Sequence, residues 1–124
     1  MYTLSVEMHF DAAHYLRDYG GKCENLHGHR SVVVAKVKAK KLNKIDLAFD
    51  FTVLKKRLGE ILGRYDHTCL NDDPPFDKIN PSAENIARTI YDALKPALTD
   101  EPAASLTAIE VYESPDSWVR YSQD

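Results

Sequence analysis

Cysteine is scarce here: Cys23 and Cys69 are the only two in 124 residues. Two thiols are too few for the disulfide framework of a small secreted domain, so free thiols in a reducing compartment are expected. An excess of cationic charge is also missing. Sixteen Lys and Arg stand against nineteen Asp and Glu, a formal net charge of -3. That balance excludes the basic footprint of a nucleic-acid binder. No run approaches the ~20 apolar residues of a membrane-spanning helix. Met1-Tyr2-Thr3-Leu4 lacks the basic start and apolar run of a secretion signal. Glycine is sparse, and no Gly-rich nucleotide-cradling fingerprint is present. A soluble cytoplasmic protein with no nucleic-acid or membrane partner is expected.

The composition that remains is that of an ordinary globular chain, 44% apolar and 28% charged. Its length fits one domain over residues 1–124 with a modest core. Leu4, Val6, Met8 and Phe10 alternate with Thr3, Ser5, Glu7 and His9, the period of a half-buried strand. Residues 15–25 are polar, hold Gly20-Gly21 and read as a loop. Val33, Ala35 and Val37 share one face of a second strand over Arg30 to Ala39. Lys36, Lys38, Lys40, Lys41 and Lys44 read as its solvated side rather than as an anion site. A turn near Leu42-Asn43-Lys44 and a short third strand from Ile45 to Phe49 are expected.

Leu54, Leu58, Ile61, Leu62 and Tyr65 recur at helical spacing, with Asp50 or Thr52 as N-cap. After a turn-rich stretch over 71–81, Ser82 caps a second helix with Ala83, Ile86, Ala87, Ile90, Tyr91 and Leu94 as its stripe. Leu106 to Tyr112 and Trp118 to Tyr121 read as a closing hairpin. Strands with two helices inserted between them predict an α+β fold built on an antiparallel sheet.

His27-Gly28-His29 is the most informative tripeptide. Residues two apart on a strand face the same way, so both imidazoles can converge on one point. His14, just past the first strand, reaches that point if the two strands pair. Three imidazoles leave the fourth tetrahedral position open, the pattern of catalytic zinc, although other first-row metals suit the same donors. Satisfied, hydrogen-bonded histidines are the bland alternative. His9 lies on the polar face and has no role. Cys23, four residues before His27, is evenly balanced between fourth ligand and a base or nucleophile beside an open site.

Asp66-His67 follows the first helix. A carboxylate can orient an adjacent imidazole for proton transfer, yet a histidine at a helix end is commonly there for the dipole, and spacing favours that. Cys69 is expected in the core. Glu113 ends the otherwise apolar row Ile109, Val111, Glu113. Its two oxygens suit a pair of parallel N–H donors, such as the 2-amino-4-oxo edge of a pterin.

Six motifs occur together and in order: Phe10-x-Ala12-Ala13-His14, Cys23-x-x-x-His27-Gly28-His29, Asp50-Phe51-x-x-Leu54-Lys55, Asp66-His67-x-x-Leu70-Asn71, Asn80-Pro81-Ser82-Ala83-Glu84-Asn85 and Val111-Tyr112-Glu113-Ser114-Pro115. In them the chain resembles the 6-pyruvoyl-tetrahydropterin synthase family over nearly its whole length. Within that family it looks most like the bacterial 6-carboxy-tetrahydropterin synthases of queuosine biosynthesis.

The resemblance implies zinc on His14, His27 and His29. It makes Cys23 the proton-abstracting base, Asp66 and His67 a relay, and Glu113 the anchor of the pterin ring. Ser82-Ala83-Glu84 matches a region that lines the family's pocket, with Ala83 where many relatives carry Ser or Thr. The implied fold is a four-stranded antiparallel sheet with two helices on one face. Subunits close a barrel as trimers that stack into hexamers, with pockets between chains. The implied reaction turns 7,8-dihydroneopterin triphosphate into 6-carboxy-5,6,7,8-tetrahydropterin, acetaldehyde and triphosphate. The pyruvoyl-forming elimination on the same substrate is the nearest alternative.

Overall fold

A computed structural model describes residues 1–123. Strand β1 (Tyr2–His14) is followed by β2 (His27–Ala39), helix α1 (Phe51–Leu62), the short β3 (Thr68–Cys69), helix α2 (Ala83–Leu94), β4 (Ala104–Ser114) and β5 (Ser117–Tyr121). The sheet order is β3-β1-β2-β4-β5. All neighbours are antiparallel except β1 and β3, which run parallel. The expected four-stranded antiparallel sheet is therefore a mixed sheet of five strands. No helix among the described residues is long and apolar enough to cross a membrane.

The strand expected over 45–49 does not form. Asn43 prevents it: its side-chain oxygen accepts from Ile45 N and Leu47 N at 3.0 and 3.1 Å. Those backbone donors are satisfied inside a turn, with Asp46 at φ 66°, and have none left for a ladder. The extra strand at Thr68–Cys69 is two residues long, too short to leave an alternation in the sequence.

The helices form where the caps lie. Asp50 accepts from Thr52 N at 2.8 Å and Ser82 from Asn85 N at 3.2 Å, each satisfying a donor that the first helical turn leaves free. Both helices cover one face of the sheet. Val6, Phe10, Val33, Ala35 and Val37 meet Leu54, Leu58, Ile86, Ile90 and Leu94 there. A bulge keeps β4 in phase with this core. Val37 pairs with Leu106 but Lys36 with Ala108, so Thr107 is the extra residue, and its hydroxyl donates to Lys36 O at 3.3 Å. Leu106 thereby faces inward with Ile109 and Val111, and the inward row ends at Glu113. Lys36 and Lys38 lie on the uncovered face, as their alternation suggested.

Candidate metal centre and active site

The β1–β2 ladder positions the histidines. Its register sets His14 opposite His27 and Ala12 opposite His29, so all three rings belong to the helix-covered face at one end of the sheet. His14 is the last residue of β1 rather than just beyond it. Two asparagine side chains then replace the ladder. Asn71, 4% exposed, accepts from Tyr15 N and donates to Tyr15 O, both at 3.0 Å. Asn80 does the same for Arg17, at 2.8 and 3.0 Å. The Arg17 guanidinium donates to the carbonyls of Ile79 and Phe76 at 3.2 and 2.9 Å. This lacing presents the Pro81 carbonyl to His14.

Each hydrogen bond to a carbonyl decides a tautomer, because a carbonyl only accepts. His14 Nδ1 donates to Pro81 O at 3.0 Å, and His27 Nδ1 donates to Asn25 O at 2.8 Å. In neutral rings both Nε2 atoms then carry bare lone pairs. They face each other at 3.1 Å, a repulsive contact unless a cation lies against both. Tetrahedral zinc with bonds of ~2.0–2.1 Å holds its nitrogens about 3.3 Å apart. One ring nitrogen of each histidine lies within 4.8 Å of the other two. Burial first, then the neighbouring His29 and His27, push His14 down to about 4, against the opposing pull of Pro81 O. His29 is lowered chiefly by burial, with Glu113 acting the other way. The trio is thus a convergent set of nitrogen donors, with His14 and His29 biased toward the neutral form, and fits a divalent metal.

Cys23 does not belong to that donor group among the described residues. It sits half-buried in a single 3-10 turn (Lys22–Glu24), where its carbonyl accepts from Leu16 N at 2.7 Å and closes the loop. The thiol lines a cleft of about 310 Å³ together with Tyr19, Ser82, Ala83, Glu84, Glu113 and Val119. Glu113 is exposed, as expected for a strand end, and also lines a second cleft of about 450 Å³ with Arg30 and Tyr112. The structure therefore brings Cys23, Glu113 and the Ser82–Glu84 segment together, with Glu113 facing toward His29.

It does not bring Asp66 and His67 to them. That pair lies along β1, next to the β3 edge, whereas the Cys23 cleft reaches β5 at the other edge. Asp66 Oδ2 meets His67 Nδ1 at 3.0 Å, so the pair is formed as read from the sequence. Asp66 Oδ1 accepts from Asp11 N at 2.9 Å, and His67 N donates to Asp11 O at 2.6 Å. The Asp11 N–H bond is the main reason the Asp66 carboxyl lies below its ordinary value, with His67 adding to it. His67 is 79% exposed and holds φ at +60°, unusual for a residue with a side chain. Cys69, expected in the core, is only half-buried in β3. Asp11, Arg17, Arg30 and Asn80 carry no periodic signal, and sequence reasoning gave none of them a role.

Comparison with known proteins settles the kinship. The family model described as 6-pyruvoyl tetrahydropterin synthase matches residues 3–124. The chain belongs to this family. Among its relatives is the 6-carboxy-5,6,7,8-tetrahydropterin synthase of Bacillus subtilis, 35% identical over 97% of this chain and 84% of that protein. The enzyme of the same name from Synechocystis is 34% identical over 98% of this chain and 93% of its own. In three dimensions the 6-pyruvoyl tetrahydropterin synthase of Caenorhabditis elegans matches with a TM-score of 0.86 at 26% identity, covering 99% of this chain and 96% of that one. As a member of the tetrahydropterin synthases, the chain is an enzyme of pterin chemistry.

Proposed function

We propose that the chain is a zinc-dependent carbon–carbon lyase. It would convert 7,8-dihydroneopterin triphosphate and one water to 6-carboxy-5,6,7,8-tetrahydropterin, acetaldehyde and triphosphate in queuosine (7-deazaguanine) biosynthesis, as a cytoplasmic enzyme acting through one domain over 1–124. The observation that carries this reading is the convergence of three imidazoles with the thiol outside their donor set. That arrangement leaves a coordination position for substrate. Similarity to the two bacterial 6-carboxy enzymes favours the carboxy product over the pyruvoyl one.

His14, His27 and His29 hold the ion, and their carbonyl partners fix the rings. Zinc bound there supplies Lewis acidity toward the hydroxyls of the substrate side chain. Glu113 accepts from the parallel N–H donors of the pterin edge and orients the ring in the cleft. Cys23 takes the carbon-bound proton onto its sulfur. His67, oriented by Asp66, moves a proton to or from the cleft of a neighbouring chain. The opposite-edge positions of the pair and the cleft support assembly as trimers or hexamers, in which one chain's β3 edge meets another's β5 edge. Incubation with 7,8-dihydroneopterin triphosphate and mass analysis of the products tests the proposal. Acetaldehyde with the carboxy-pterin is expected. A pyruvoyl-pterin without acetaldehyde would overturn the carboxy reading.

A further inference from the structure

The Asp66–His67 pair follows the end of α1 in a turn, with His67 in the left-handed region and its ring in solvent. The short β3 that follows ties the segment to β1, and a single residue on β1 bonds both members of the pair. Asp11 supplies its N–H to Asp66 and its carbonyl to His67. Asp11 is itself gripped: its two carboxylate oxygens accept from Arg30 Nε and Nη2 at 2.9 and 3.1 Å, a two-pronged contact between facing positions of the β1–β2 ladder. The Asp11 and Asp66 carboxylates and the His67 ring offer atoms within 4.8 Å of one another. Two carboxylates so close repel, and the Arg30 guanidinium cancels the charge of one.

We infer that Asp11 and Arg30 are positioning residues for the Asp66–His67 pair, with Asp11 fixing its geometry through the backbone and Arg30 neutralising Asp11 so that Asp66 alone pairs with the imidazole. This rests on the reading that the pair takes part in proton transfer. The charged groups of this cluster are Asp66 beside His67, Asp11 from β1 with His9 acting on it, and Arg30 from β2 acting on Asp11. Two substitutions therefore push the ring in opposite directions. Arg30→Gln leaves Asp11 uncompensated and favours the imidazolium. Asp11→Asn removes a negative charge, frees Arg30 to face Asp66 and favours the neutral ring.

The experiment follows the His67 ring by NMR across pH in zinc-loaded protein without substrate, and in parallel the pH profile of kcat/KM. In Arg30→Gln the ring titration and the matching limb of the rate profile move to higher pH by several tenths of a pH unit. In Asp11→Asn both move to lower pH by a similar amount, and the double variant returns near the parent. These movements shrink in high salt. Arg30→Lys, which keeps the charge without the fork, restores most of the Arg30→Gln shift. Titrations that do not move, or that move the same way in both single variants, overturn the inference. Loss of zinc in Arg30→Gln also overturns it, because Arg30 would then be supporting His29. Opposite movements of the ring with an unmoved rate profile leave the positioning intact and overturn the catalytic role of His67.

Discussion

The two histidine sites of this chain are built in contrasting ways. The trio of His14, His27 and His29 sits on the covered face, assembled by one hairpin, with His14 3% exposed and each carbonyl partner in the same chain. The Asp66–His67 pair sits on the edge of the sheet, its ring 79% exposed and far across the strands from the Cys23 cleft. Holding a metal is thus within the reach of one chain. On the proposed reading, completing the proton-transfer set takes a second chain. Burial serves the first task by keeping imidazoles neutral. On that reading, exposure serves the second by leaving the His67 ring accessible to another chain.

The contrast predicts a ranking of effects. His27→Ala should lose both the metal and turnover, read as zinc per chain falling from one towards zero. Cys23→Ala should keep one zinc per chain while kcat falls by about a thousandfold. A Cys23→Ala variant that keeps its rate would remove the thiol from the chemistry. Mixing Cys23→Ala chains with His67→Ala chains sharpens the comparison further. Randomly mixed oligomers should recover about a quarter of parental activity, because some clefts then receive an intact thiol and an intact imidazole from different chains. No recovery would place the whole set within one chain.

Smaller effects fall on stability. Asn71→Ala removes two hydrogen bonds to Tyr15 and leaves its part-buried backbone groups short of partners, for about 2 kcal/mol in urea unfolding. The metal-free protein should also be acid-sensitive in a defined window. His14 binds a proton near pH 4 when folded and near 6.5 when unfolded. The unfolded state therefore takes up the proton first as pH falls. Stability is full above 6.5, declines down to about 4 and then levels off for this group. An unfolding midpoint that rises as pH drops through that window would contradict the burial of a neutral ring.

The buried site was legible because strand periodicity governs it. Alternation put His27 and His29 on the face of Val33 and Val37, and pairing of β1 with β2 brought in His14. The helices were legible from Asp50 and Ser82, whose short polar side chains have few better uses than capping. Side chains that imitate backbone were not legible. Asn43 replaces an expected strand with a turn, Asn71 and Asn80 continue the β1 ladder beyond its end, and none of the three leaves a period to read. The place of Asp66-His67 was also hidden, because a two-residue parallel strand fixes it and the contact with Asp11 spans 55 positions of chain.

X-ray absorption at the zinc edge of the loaded protein addresses the central arrangement most directly. Three nitrogen ligands at ~2.0–2.1 Å, one oxygen ligand from solvent or substrate and no sulfur shell are the expected result. A sulfur at about 2.3 Å would put Cys23 in the coordination sphere, close the site and contradict the account.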